Sequence, residues 1–110
     1  MKLKVDLIIY LKCLSDFEFL KVTYKSILDE AVLNSESGIY VISINFLENY
    51  NKIEFELLKS IELTSKIYIG YWMQNDYGGF TMPEKVTELS FKYKIPIEVC
   101  TYIYYNNEDE

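Results

Sequence analysis

The chain has 110 residues, half of them apolar, and sets 17 carboxylates against 11 lysines for a net charge of −6. It contains no histidine and no arginine. That excludes the commonest general base and metal ligand and the usual bidentate clamp for phosphate and carboxylate. The acidic balance also opposes nucleic-acid binding, which neutralises phosphates with lysine or arginine.

Leu3–Cys13 reads as a strand, with Leu3, Val5, Leu7, Ile9 and Leu11 on one face and Lys4, Asp6, Ile8, Tyr10 and Lys12 on the other. Ser15-Asp16-Phe17-Glu18 has the form of a capping box that opens a helix. Phe17, Leu20, Tyr24, Ile27, Leu28 and Ala31 follow at helical spacing. Asn34-Ser35-Glu36-Ser37-Gly38 ends that helix. Ile39–Phe46, rich in β-branched and aromatic residues, is a second strand. Asn51-Lys52-Ile53-Glu54 is a weaker capping box, before a helix that buries Ile53, Leu57, Leu58 and Ile61 and stops near Leu63.

Lys66–Met73 reads as a third strand, and Gln74–Phe80 as a loop. Thr81-Met82-Pro83-Glu84 is a third capping box with proline in the first turn, where its missing N–H costs nothing. Met82, Val86, Leu89 and Tyr93 form the inner stripe of that helix. Ile97–Tyr105, entered through Pro96, is the last strand. The sequence thus predicts one α/β domain over residues 1–105 in the order β-α-β-α-β-α-β, with 106–110 as an acidic tail.

The strands do not read as the continuous apolar runs of a sheet covered on both faces. The predicted architecture is a four-stranded sheet with helices mainly on one face, a ferredoxin-like two-layer sandwich. A small flavodoxin-like three-layer sheet is the alternative. In the two-layer form the uncovered face holds Asp6, Ile8, Tyr10, Ser43, Asn45, Tyr68, Trp72, Glu98, Tyr102 and Tyr104.

Cys13 and Cys100 form no C-x-x-C pair, and two thiols without imidazole fall short of the four ligands of a zinc site. They read as ordinary buried thiols. The first residues carry a basic start, but Asp6 and Lys12 bracket an apolar run too short for a leader peptide or a membrane span. The chain reads as a cytoplasmic protein that needs no cofactor or metal and engages no membrane.

Two surfaces stand out. Tyr10, Tyr68, Trp72, Tyr102 and Tyr104 fall on one sheet face, where phenol and indole rings supply rigid contact area with a polar handle. The competing account is that tyrosine is simply a good strand former. The loop Trp72–Phe80 offers Asp76 beside the exposed rings of Tyr77 and Phe80, as a protein-contact loop would, with two glycines that equally suit a tight turn. It carries no phosphate-binding glycine pattern. A carboxylate pair such as Asp6 with Glu98 would suit acid–base chemistry only at close range in a cleft, and no spacing fixes that geometry.

In size, acidity, single-domain compactness and aromatic-rich strands, the chain resembles the immunity proteins of bacterial polymorphic toxins, including those of contact-dependent inhibition systems. The resemblance covers the chain as a type and transfers no residue roles. It implies tight one-to-one binding of a cognate toxin domain, often a basic nuclease, and blockage of its active site or a nearby surface. The alternatives are another interaction or regulatory module, antitoxin-like or phage-encoded, a homodimer joined through the aromatic face, and a small enzyme relying on carboxylates.

Overall fold

A computed structural model describes residues 2–73 and 79–103. The order of elements is β1 (Lys2–Leu11), α1 (Leu14–Thr23), β2 (Leu28–Asn34), β3 (Ile39–Asn45), α2 (Phe55–Ile61), β4 (Thr64–Met73), α3 (Glu84–Tyr93) and β5 (Ile97–Ile103), with short 3₁₀ turns before β2 and α2. The α/β class expected from the sequence is therefore present, with one strand more than expected. The strands lie in the order β2-β3-β1-β4-β5. All neighbours are antiparallel except β4 and β5. β1 to β4 thus follow β-α-β-β-α-β connectivity, a split β-α-β unit, and α3 returns the chain to add β5 parallel at the edge.

The extra strand corrects the first helix. Tyr24, Ile27, Leu28 and Ala31 are spaced as a helical stripe, yet α1 ends at Thr23. Tyr24 and Ile27 are buried in the turn that follows, and Leu28–Asn34 pairs with β3. Asn34–Gly38 is the loop of a hairpin and not a helix end. The Asn34 side-chain oxygen accepts the amides of Glu36 (3.1 Å) and Ser37 (3.3 Å), and the Gly38 amide donates to the Asn34 carbonyl (2.8 Å). Gly38 sits at φ +69°, a conformation that favours glycine.

None of the three capping boxes supplies a side-chain cap. The N-cap positions are Cys13, Glu54 and Pro83, and none makes a side-chain capping hydrogen bond. The second box instead forms part of a 3₁₀ turn at Tyr50–Lys52. The start of α2 is held by tertiary structure, because the Glu54 amide donates to the buried Tyr24 hydroxyl (3.0 Å).

Alternation in β1 places Val5, Leu7, Ile9 and Leu11 in the core. Leu7 lies between Ile44 of β3 and Ile67 of β4, and Ile9 faces Ile42. Phe17 and Leu20 of α1, Phe55 and Leu58 of α2 and Val86 of α3 pack into this same cluster. Each such side chain contributes about 1.5–3 kcal/mol on burial. All three helices therefore cover one face of the sheet. Among the described residues no helix covers the other, so the three-layer alternative does not form. The helix layer stops short of the β5 edge: Val99 lies on the helix-bearing face yet is 45% exposed.

Candidate functional site

Cross-strand register assembles the uncovered face. Asp6 lies between Asn45 and Tyr68, Ile8 between Ser43 and Lys66, and Lys2 beside Trp72. Beyond β4, Glu98 stands beside Tyr68, Cys100 beside Gly70 and Tyr102 beside Trp72. Of the site residues expected from sequence, Tyr68, Trp72 and Tyr102 come together. The Trp72 and Tyr102 rings stack with centroids 4.8 Å apart and planes 16° apart. The Tyr68 and Tyr102 hydroxyls share a hydrogen bond of 2.6 Å. That bond is the main cause of a raised Tyr68 pKa, with desolvation second. The Lys2 ammonium lies 5.4 Å from the Trp72 ring, within cation–π range.

Gly70 makes this cluster lie flat. A Cβ on Gly70 would sit 2.8 Å from two carbons of the Trp72 ring and 3.1 Å from the Tyr68 hydroxyl. The missing side chain is the seat of the indole, which otherwise would stand off the sheet. Nothing in the sequence reading marked Gly70. Its place inside a β-branched and aromatic strand is the signal, since glycine there marks close approach of another group.

The other expected residues separate. Tyr10 shares the face but lies eight residues along β1 from the Trp72 end, roughly 26 Å at strand rise. There it faces Thr64, and Lys66 lies over its ring at 5.7 Å. Lys66 also pairs with Glu98 at 3.1 Å. Phe80 is not an exposed contact residue. It is half-buried and packs against the core, its ring 5.0 Å from that of the buried Tyr71. The Tyr71 hydroxyl donates to the Gly79 carbonyl (2.6 Å) and fixes that turn. Asp76, Tyr77 and Tyr104 lie outside the described residues, as does the tail.

Next to the aromatic cluster lies a cleft of about 320 Å³ lined by residues that include Asp6, Ile8, Asp29, Glu30, Val41 and Trp72. Asp6 is its unusual member, a carboxylate 4% exposed in the middle of a sheet. The Ser43 hydroxyl donates to its Oδ2 (3.1 Å), and the Lys4 ammonium stands 3.4 Å from the same oxygen. Among the described residues no donor reaches Oδ1. Lys4 turns mainly to Asp29, at 2.8 Å. Desolvation, with Asp29 facing it, raises Asp6 to about 6. Asp29 moves the opposite way, lowered chiefly by its hydrogen bond from Lys4.

Asp29 and Glu30 reach this cleft because β2 bulges between Leu28 and Glu30. Reading them as helical hid both. The detectable signal was Val32-Leu33 and Ile39–Val41 flanking a polar loop that ends in glycine, a hairpin pattern. The pairing of Asp6 with Glu98 does not form. β4 runs between their strands, and Tyr68 stands between the two residues. Among the described residues no three potential ligands converge to hold a metal ion.

Both cysteines are free. Cys13, expected to be buried, is exposed at the start of α1. Its thiol lies 2.9 Å from the Ser15 hydroxyl. That contact, followed by the amides of Asp16 and Ser15, lowers its pKa. The helix layer also exposes apolar residues, with Val22 76% and Phe91 88% exposed. Scattered singly, such residues are normal.

Comparison of the chain with protein-family models, with curated proteins and with solved structures gave no match. No described helix is long and apolar enough to cross a membrane.

Proposed function

We propose that this protein is an immunity-type inhibitor that binds a basic bacterial toxin domain through the uncovered sheet face and neutralises it in the cytoplasm. The observation that carries this reading is the flat Trp72–Tyr102–Tyr68 cluster lying directly beside a carboxylate-lined cleft on a face without helices. Aromatic anchors at the centre of an interface supply most of its binding energy. The surrounding acids speed encounter with a cationic surface. A net charge of −6 extends that attraction to the whole molecule. A nuclease active site, built to attract phosphate, is the complementary target.

An immunity protein's gene should sit directly after that of its toxin, and co-expression with a toxin domain encoded there tests the proposal. Cells carrying both should grow, and the association rate of the purified pair should fall steeply as salt rises. Cells that die despite expression of folded protein would contradict it.

A second reading, pairing with another copy of the chain, draws on β5. That strand ends the sheet and exposes Val99, Tyr102 and Ile103, with no lysine or proline to block strand addition. Sedimentation over a hundredfold concentration range separates the two, since the inhibitor reading needs a monomer competent to bind.

A further inference from the structure

We infer that the cleft between β1, β2, β3 and β4 is the receptor for a single arginine side chain of the partner, its guanidinium held by Asp6, Asp29 and Glu30 and its stem lying along Ile8, Val41 and Trp72. This inference rests on the protein-binding reading of the face and names the partner group that anchors there.

Three features of the cleft lead to it. Its lining combines three carboxylates from β1 and β2 with one ammonium, that of Lys4, so the pocket is short of positive charge. Asp6 carries a deeply buried carboxylate, its side chain 6% exposed, whose Oδ1 lacks a donor among the described residues. A buried acceptor left without a donor is costly, and a site that keeps one is built to receive a donor. Third, Ile8, Val41 and Trp72 supply apolar wall beside the acids, which suits a side chain with a long hydrocarbon stem and a charged head.

Arginine fits these walls better than lysine. Its planar fork presents separate donors to oxygens on different residues and stacks on aromatic faces, and Tyr68 and Trp72 both border the cleft. A metal ion fits poorly: among the described residues no three ligands come close enough together to hold one, whereas the wider guanidinium fork can reach carboxylates spread along the cleft.

Burial, with Asp29 facing it, raises the pKa of Asp6 to about 6, so below that pH the carboxyl of the free protein carries a proton. Proton and guanidinium therefore compete. The groups that face Asp6 are Lys4 from β1, Asp29 and Glu30 from β2, Ser43 from β3 and Tyr68 from β4, and of these only Asp29 and Glu30 add negative charge. Arginine binding should release one proton, so affinity should fall up to tenfold per unit of pH below that midpoint and level off above it.

Trp72 is the chain's single tryptophan, so its fluorescence reports the cleft directly. The test titrates the intact protein with N-acetyl-arginine amide, using the citrulline and lysine analogues as controls. The inference predicts a saturable change with the arginine amide, weaker by about tenfold or more with the uncharged citrulline analogue. It predicts weaker binding of the lysine amide, the stated pH dependence, and loss of the response in both Asp6→Asn and Glu30→Gln. Glu30 is exposed, so its variant keeps the fold should Asp6→Asn not. No saturable change, equal response to citrulline, equal response to lysine, or undiminished binding in folded Asp6→Asn would each overturn it. If the amide fails to bind while a toxin domain still docks on the face, the arginine pocket falls and the inhibitor reading stands. If the amide binds and no toxin domain does, the inhibitor reading falls alone.

Discussion

Asp6 is a buried carboxylate whose ionisation the fold disfavours. Burial, with Asp29 opposite, lifts its pKa from 3.8 to about 6. Between those values the folded chain keeps a proton that the unfolded chain has lost. Stability therefore falls as pH rises from about 4 to 6 and stays lower above it. Asp29, shifted down, contributes the opposite dependence, lost only at lower pH. A shift of this size corresponds to roughly 2–3 kcal/mol. Asp6→Asn should remove the decline and, after loss of the Lys4 contact, gain about 1–2 kcal/mol at pH 7.5. Urea unfolding at pH 4.5 and 7.5 reads both, and a variant less stable than wild type at pH 7.5 would reject the assignment. Cys13 gives a second prediction. Its exposed thiol, with the pKa lowered by Ser15, should react with iodoacetamide faster than half-buried Cys100, and Ser15→Ala should slow that reaction.

At the scale of elements, two glycines set the site. Gly70→Ala places a methyl group under the indole, and the side chain that must move is the far end of Trp72. The expected result is a modest stability loss of about 1 kcal/mol with a red shift in tryptophan emission, and unchanged emission would mean that the ring does not lie on Gly70. Gly38→Ala at φ +69° should cost about 1 kcal/mol by straining the β2–β3 hairpin.

The strand faces were legible from alternation alone. Every described residue expected on the uncovered side lies there, because a period of two admits only one registration with a single buried face. The first helix was misread because Leu28-Asp29-Glu30-Ala31 satisfies a helical period while the bulge at Asp29 breaks the strand period that would have betrayed β2. With β2 hidden, so were Asp29 and Glu30, and with them the cleft. The capping boxes located helix starts within a few residues but named the wrong caps, since the Tyr24 hydroxyl supplies by tertiary contact what the second box was expected to supply locally.

For the whole molecule, the division of labour is between a helix-covered face that holds the fold and an open face left with rings and carboxylates. We propose that this open face grips a basic toxin domain. Trp72 and Tyr102 carry little of the core, so replacing both with alanine should leave the melting temperature within a few degrees of wild type. The decisive measurement pairs that melting curve with growth of cells co-expressing the Trp72→Ala/Tyr102→Ala protein and a toxin domain encoded beside its gene. Folded variant with lost protection is the predicted result. Full protection by the folded variant, or collapse of its fold, would contradict the assignment of this face as the binding surface.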